Sequence, residues 1–297
     1  MRRLVSILGL CLCGFARAVI VQGDDGIDHA ASAGAGAGWN YVGRINGGAG
    51  GVYLGEYNGS AWVLTAGHVG AGSFTINDLT YGAVPDSAVT LVNDNGSPAD
   101  LTLFRIDGDP GLANLTLVAQ TPVMGAPLTM IGYGVGRDAS ETYWDSSWAE
   151  TQEPSAYKGY KWTAASVERW GINTVFATTT VIYSNGVTTD GFYTRFRALA
   201  GSAQATSGDS GGGVFTSSGA LAGIMIAVND FGQPANTSIF GGNPRSVTYI
   251  ADVSAYRTQI FDIIAAAAVP EPGGWMLAAL GLGMLAARAR KAPAAPR

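Results

Sequence analysis

The 297-residue chain contains only two histidines, His29 and His68, so a general base can be sought at only two places. His68 closes the run Ala61-Trp62-Val63-Leu64-Thr65-Ala66-Gly67-His68, which reads as a strand whose tip carries an imidazole among small neighbours. His29 precedes an Ala- and Gly-rich stretch and reads as a solvated residue. The strongest signal is Ser207-Gly208-Asp209-Ser210-Gly211-Gly212-Gly213. Glycines around a serine permit unusual backbone angles, so the amides of Gly208 and Ser210 can converge on one space and bind an oxyanion. A serine hydroxyl is a weak nucleophile at neutral pH. It needs a base, and the base needs a carboxylate to orient it and stabilise its cation. Asp100 fits that role best because it opens the alternating strand Asp100-Leu101-Thr102-Leu103-Phe104-Arg105-Ile106, whereas Asp86 and Asp94 lie in turn-rich segments. Together His68, Asp100 and Ser210 describe acyl transfer, a chemistry that needs no metal or organic cofactor.

The scaffold implied by the rest of the chain is mostly β. Gly contributes 43 residues, charged residues are 13% and hydrophobic ones 47%, a balance that suits short strands and tight turns better than helices. Short apolar or alternating runs occupy 41–45, 51–57, 61–66, 73–76, 88–92 and 101–106, and a second set occupies 127–133, 173–183, 191–196, 213–215 and 221–228. Two consecutive sets predict two antiparallel barrels, about 39–108 and 120–250. The segment 137–170, rich in Trp and Tyr, reads as a long loop packed onto the second barrel. Asp252 can cap a closing helix over about 253–267, with Val253, Tyr256, Ile260, Ile263 and Ile264 on one face.

The order His68, Asp100, Ser210 within Leu-Thr-Ala-Gly-His, Asp-Leu-Thr-Leu-Phe and Gly-Asp-Ser-Gly-Gly resembles the chymotrypsin/trypsin-like serine proteases. Gly132-Tyr133-Gly134 is similar to the family's Gly-Trp-Gly, and Leu221-Ala222-Gly223-Ile224 also matches. The resemblance implies two perpendicular six-stranded barrels with the triad between them and peptide substrates. It also implies that Asp209 receives a new Ile or Val amino terminus that orders the oxyanion hole; Ile20-Val21-Gln22-Gly23 resembles the usual Ile-Val-Gly-Gly and makes Ile20 the candidate. Gln204 stands six residues before the nucleophile, where proteases that cut after Lys or Arg carry an acid, so no strong preference for those residues is expected. The family's Ser-Trp-Gly edge strand is replaced by about Ile226, Ala227 and Val228, which removes a hydroxyl that usually supports the catalytic aspartate. A catalytically silent surface or matrix binding protein and an esterase are the competing readings.

Both ends read as addresses. Arg2 and Arg3, an apolar run over 4–15 and Ala16-Arg17-Ala18 have the order of a signal peptide over 1–18, which leads to export and processing by signal peptidase. Cys11 and Cys13 fall inside it, so the mature chain has no thiol to form a disulfide. Pro270-Glu271-Pro272, an apolar stretch over 273–287 and four later basic residues resemble the PEP-CTERM sorting signal of Gram-negative bacteria, spanning 269–297. That signal implies transient anchoring in the inner membrane, an exosortase-type processing enzyme and a destination at or beyond the cell surface. Between residues 19 and 272, 10 Lys and Arg face 22 Asp and Glu. Such a surface repels nucleic acid and anionic membrane.

Overall fold

The computed structural model describes residues 19–23, 29, 34–229 and 231–267. The segments read as a signal peptide, 1–18, and as a sorting signal, 269–297, lie outside the described residues.

After the short strand β1 (Ile20–Val21), the first set of runs forms β2 (Val42–Ile45), β3 (Gly50–Tyr57), β4 (Ser60–Ala66), β5 (Phe74–Ile76), β6 (Leu79–Tyr81), β7 (Val89–Val92) and β8 (Pro98–Ile106). They pair in the order β6-β5-β2-β3-β4-β8-β7. The sheet curls back on itself, because the Asp107 amide donates to the Gly82 carbonyl at 2.9 Å and the Val84 amide to that of Arg105 at 2.8 Å. Asn58-Gly59 between β3 and β4, with φ of 54° and 76°, has the left-handed pair that a tight hairpin requires.

The period of two along β3 and β4 sorts side chains into two cores. Tyr53 and Val63 join Phe74 and Phe104 inside the first barrel. Their alternate neighbours Val52, Leu54, Trp62 and Leu64 point the other way, into a cluster shared with Ile131, Phe215, Leu221 and Ile224 of the second half. The larger core therefore lies between the two halves, which explains why β3 and β4 read as nearly continuous apolar runs.

The second half begins with β9 (Pro127–Gly132) and continues through β10 (Val135–Arg137), β11 (Thr142–Trp144), β12 (Glu150–Thr151) and β13 (Tyr157–Ser166). It is completed by β14 (Arg169–Ser184), β15 (Val187–Arg195), β16 (Ala203–Gln204), β17 (Gly213–Thr216), β18 (Leu221–Asn229), β19 (Thr237–Gly241) and β20 (Val247–Asp252). Strands β14-β15-β20-β18-β17-β9 close a six-stranded barrel. The aromatic segment expected as a loop is instead most of a five-stranded sheet, β10-β13-β11-β12 with β19 beside β13. Burial is the physical reason. Trp144 and Tyr160 are 1% and 2% exposed, and backbone flanking such residues must find partners, which strand pairing supplies.

The closing helix α1 (Val253–Ala267) starts where expected. Asp252 Oδ1 accepts from the Ser254 amide at 2.9 Å and hydroxyl at 2.7 Å, satisfying a first-turn donor. Val253, Tyr256, Ile260 and Ile264 are buried against the shared core.

The halves meet at Gly50, whose amide donates to the Ser210 carbonyl at 2.8 Å, while its own carbonyl accepts from Thr65 Oγ1 of the first half at 2.8 Å. A Cβ at Gly50 would lie 2.6 Å from the Gly212 nitrogen. Gly50→Ala should therefore lower stability by about 1–3 kcal/mol, the usual cost of overpacking, measured by urea unfolding.

Candidate active site

Strand β4 ends at Ala66, paired with Leu101 of β8, so the register sets Gly67 and His68 beside Asp100. A Cβ at Gly67 would sit 3.0 Å from Asp100 Oδ1, and the glycine leaves the carboxylate room. The His68 amide donates to Asp100 Oδ1 at 2.8 Å, while Nδ1 lies 3.0 and 2.9 Å from the two carboxylate oxygens. Asp100 is 2% exposed and its own amide donates to Thr189 Oγ1 at 2.8 Å, which ties the residue to β15 of the second barrel. Burial alone would raise the carboxyl's pKa; hydrogen bonds from the His68 ring and amide, the His68 charge and the Asn185 amide outweigh it and hold the group below its ordinary range.

Asn185 was not singled out by the sequence. It occupies the tip of the long β14–β15 hairpin, at φ 51° with Gly186 at 84°. Its Nδ2 donates to Asp100 Oδ2 at 3.2 Å and to Ser184 Oγ at 2.9 Å, and lies 3.0 Å from His68 Nδ1. A carboxylate only accepts, so the consistent arrangement has both the imidazole Nδ1–H and the Asn185 amide donating to Asp100. An Asn-Gly pair between two strand-like runs is the hairpin signal that existed in the sequence. What it could not give was the hairpin's reach across to the other barrel.

Ser210 follows a turn in which Ser207 is exposed, Gly208 half-buried and Asp209 buried. Gly208 has φ of 93° and Gly211 of 84°, both in the left-handed region, and a Cβ on Gly211 would run into the Gly50 carbonyl. Among the described residues the amides of Gly208 and Ser210 donate to no other group, whereas those of Asp209, Gly211 and Gly212 are engaged with Thr206, Met225 and Asp209 carbonyls. Asp209 is 0% exposed. Its Oδ1 accepts from the Gly134 amide at 2.7 Å, and Oδ2 accepts from the Thr206 amide at 2.8 Å and hydroxyl at 3.0 Å. The Val19 backbone N–H is a further donor. Desolvation still dominates, and the carboxyl is pushed up to about 6.

Ser210 and His68 line one cleft of about 350 Å³, whose other walls include Asn185, Thr206, Ser207 and the β18 residues Ile226, Ala227 and Val228. Three expectations change. The residue facing Asp209 is Val19 and not Ile20, because Ile20 pairs with Gln204 in the β1–β16 ladder. Gln204 does not reach the Ser210 cleft; it is 1% exposed, donates to the Val247 carbonyl at 2.9 Å and lines a neighbouring cavity. His29 is not solvated: its ring lies 4.2 Å from that of Trp170 and its Nδ1 2.8 Å from the Trp170 carbonyl oxygen. No cluster of three or more metal-ligating side chains occurs among the described residues.

The paired antiparallel halves, one a closed six-stranded barrel, with a helix at the end of the chain define a chymotrypsin-like fold. A variant of human heparin binding protein overlays with a TM-score of 0.51 at 15% identity, over 79% of this chain and 94% of that one. Mouse neuropsin, a serine protease, is 18% identical over 75% and 94% of the two chains with a TM-score of 0.48. An inactive-form variant of Rv3671c from M. tuberculosis H37Rv is 16% identical over 79% and 91% with a TM-score of 0.46. Residues 48–224 match the trypsin-like peptidase domain, and the chain belongs to that family. A search of curated proteins finds no match.

Asp100 yields a testable sign. A carboxyl held low in the folded state contributes stability above its unfolded value of 3.8, and this is lost as the pH falls through the folded value. Asn185→Ala removes one donor and raises the folded value. Its acid-unfolding midpoint, followed by circular dichroism, should therefore move to higher pH than that of the wild type.

Proposed function

We propose that the protein is an exported serine endopeptidase in which Ser210 is the nucleophile, His68 the base and Asp100 the group that orients the base. The observation that carries this reading is the convergence of His68, held through Nδ1 by a buried carboxylate, with Ser210 in one cleft. His68 takes the Ser210 hydroxyl proton as the oxygen attacks the peptide carbonyl. The otherwise unengaged amides of Gly208 and Ser210 receive the oxyanion. His68 then protonates the leaving amine, and water hydrolyses the acyl enzyme by the same steps in reverse. Asn185 stands in for the hydroxyl that the altered edge strand lacks, by donating to Asp100 from a different strand pair.

Export and activation are, in this reading, one event. Cutting after Ala18 turns the Val19 amide into an ammonium already placed at the buried Asp209. Val19 is 0% exposed and has φ of 29°, a strained value for a β-branched residue. Loss of the peptide bond to residue 18 removes that constraint. The segment over 269–297 then serves as a PEP-CTERM signal that holds the enzyme transiently in the inner membrane until an exosortase-type enzyme processes it, and the mature protein acts on protein or peptide substrates at or beyond the cell surface.

A serine-directed fluorophosphonate should label the protein and fail to label Ser210→Ala; an unlabelled wild type would favour the silent binding protein. Asp100→Asn should slow labelling by about 10³–10⁴-fold, because the imidazole loses its tautomer. Amino-terminal sequencing of active enzyme should begin at Val19, and a start beyond Gly23 would overturn the export step. A carboxyl raised from 3.8 to about 6 favours the folded state below pH 4, an advantage lost as the pH rises to 6. The Ser210→Ala precursor should therefore lose melting temperature across that window, and the chain starting at Val19, with an ammonium pairing Asp209, should not.

A further inference from the structure

The Ser210 cleft and the cavity lined by Gln204 are neighbours with a common wall. Trp162 and Val228 line both. The second cavity, about 300 Å³, also has Gln233, Asn236 and Ser246 in its walls. Gln204 Oε1 is buried and accepts no hydrogen bond among the described residues, although its Nε2 is fixed on the Val247 carbonyl. Trp162 belongs to β13, in the sheet where a loop was expected. It is pinned there: its indole Nε1 donates to Ser238 Oγ at 2.9 Å, its amide donates to the Asn236 carbonyl at 2.8 Å, and it pairs with Arg137 of β10.

We propose that the Trp162 indole is a partition that shortens the side-chain pocket beside Ser210, so that the enzyme cleaves after small uncharged residues such as Ala, Ser or Thr. The chamber containing Gln204 is the remainder of a deeper pocket, closed off by the indole. On the Ser210 side the nearby wall is made of Ala205, Thr206 and Ser207, which add little bulk and no charge. Among the described residues neither chamber has an acidic lining group, so a Lys or Arg side chain entering either meets no counter-charge from them. A large apolar side chain meets the indole before it reaches the space behind. An unpaired Gln204 carbonyl oxygen is costly to bury, and a chamber able to admit a polar group gives it a partner once the partition is removed.

The inference rests on the serine endopeptidase reading and is tested with the chain beginning at Val19. Peptides differing only in the residue before the cut, Ala, Phe, Gln or Arg, are compared by kcat/KM for the wild type, Trp162→Ala, Trp162→Phe, Gln204→Glu and the double variant Gln204→Glu/Trp162→Ala. The wild type should favour Ala over Phe and Arg by tenfold or more. Trp162→Ala should raise Phe and Gln relative to Ala by at least tenfold, with a smaller shift in the same direction for Trp162→Phe. Gln204→Glu alone should leave Arg unimproved, whereas the double variant should gain tenfold or more on Arg, since only then does the new carboxylate face the substrate. Fluorophosphonate labelling of each variant reports an intact Ser210 centre. If Trp162→Ala does not fold, Trp162→Phe decides by the same ratio. Unchanged ratios in a labelled Trp162 variant, a wild type that prefers Phe or Arg, or an Arg gain from Gln204→Glu alone overturn the partition. A wild type that neither labels nor cleaves any peptide overturns the endopeptidase reading itself, and the pocket with it.

Discussion

A carboxylate with no exposure to water, Asp209, is the constraint around which the site is built. Leaving such a group unsolvated costs several kcal/mol unless donors replace the water, and the donors come from segments far apart in the chain: Val19, Gly134 and Thr206. Meeting that demand draws the first residues of the described chain, the turn after β9 and the loop before Ser210 to one point. Gly132 and Gly134 are glycines because any Cβ there would run into the carboxylate. The turn that holds Asp209 also leaves the Gly208 and Ser210 amides without a partner among the described residues.

The second dependence is the meeting of the two barrels. Asp100 sits on a strand of the first half, yet two of its partners, Thr189 and Asn185, come from the β14–β15 hairpin of the second. Ser210 is in turn held by Gly50 of the first half. Each half thus orients a candidate site residue that the other supplies, and an apolar core shared between them fixes their relation. The altered edge strand at Ile226, Ala227 and Val228 is compatible with this arrangement because carboxylate support arrives from a hairpin tip and not from β18.

The aromatic sheet of β10 to β13 and β19 changes the surroundings of the cleft more than its chemistry. It presents Trp162 to the space beside Ser210 while its remaining aromatics are consumed in packing, as in the stack of Trp148 on Tyr157 at 4.0 Å and the cluster of Tyr160, Phe196 and Phe240. The wall of the cleft is set by which of these side chains faces it, and pairing partners as distant as β19 decide that.

Local chemistry was legible in the sequence. Strand period and the Asp252 cap depend on neighbouring residues, so α1 and most strands of the two sets were legible, although β6 and the barrel strand β20 were missed. The scarcity of histidine and the Gly-rich turn at Ser210 singled out His68 and Ser210 for the same reason, and Asp100 followed from its place at the start of an apolar strand. Other features were set by residues distant in sequence. Val19 displaced Ile20 because β1 pairs with β16 in one particular register. His29 packed on Trp170, Gln204 turned to Val247, the expected loop became a sheet, and Asn185 reached the Asp100 carboxylate. Hydrogen bonding and packing between residues 43, 85 or 141 positions apart cannot be read from a local pattern, because the same pattern permits several partners and only the closed fold selects one. The chain by itself marked out the candidate site residues; the tertiary structure decided which of them lie together and what surrounds them.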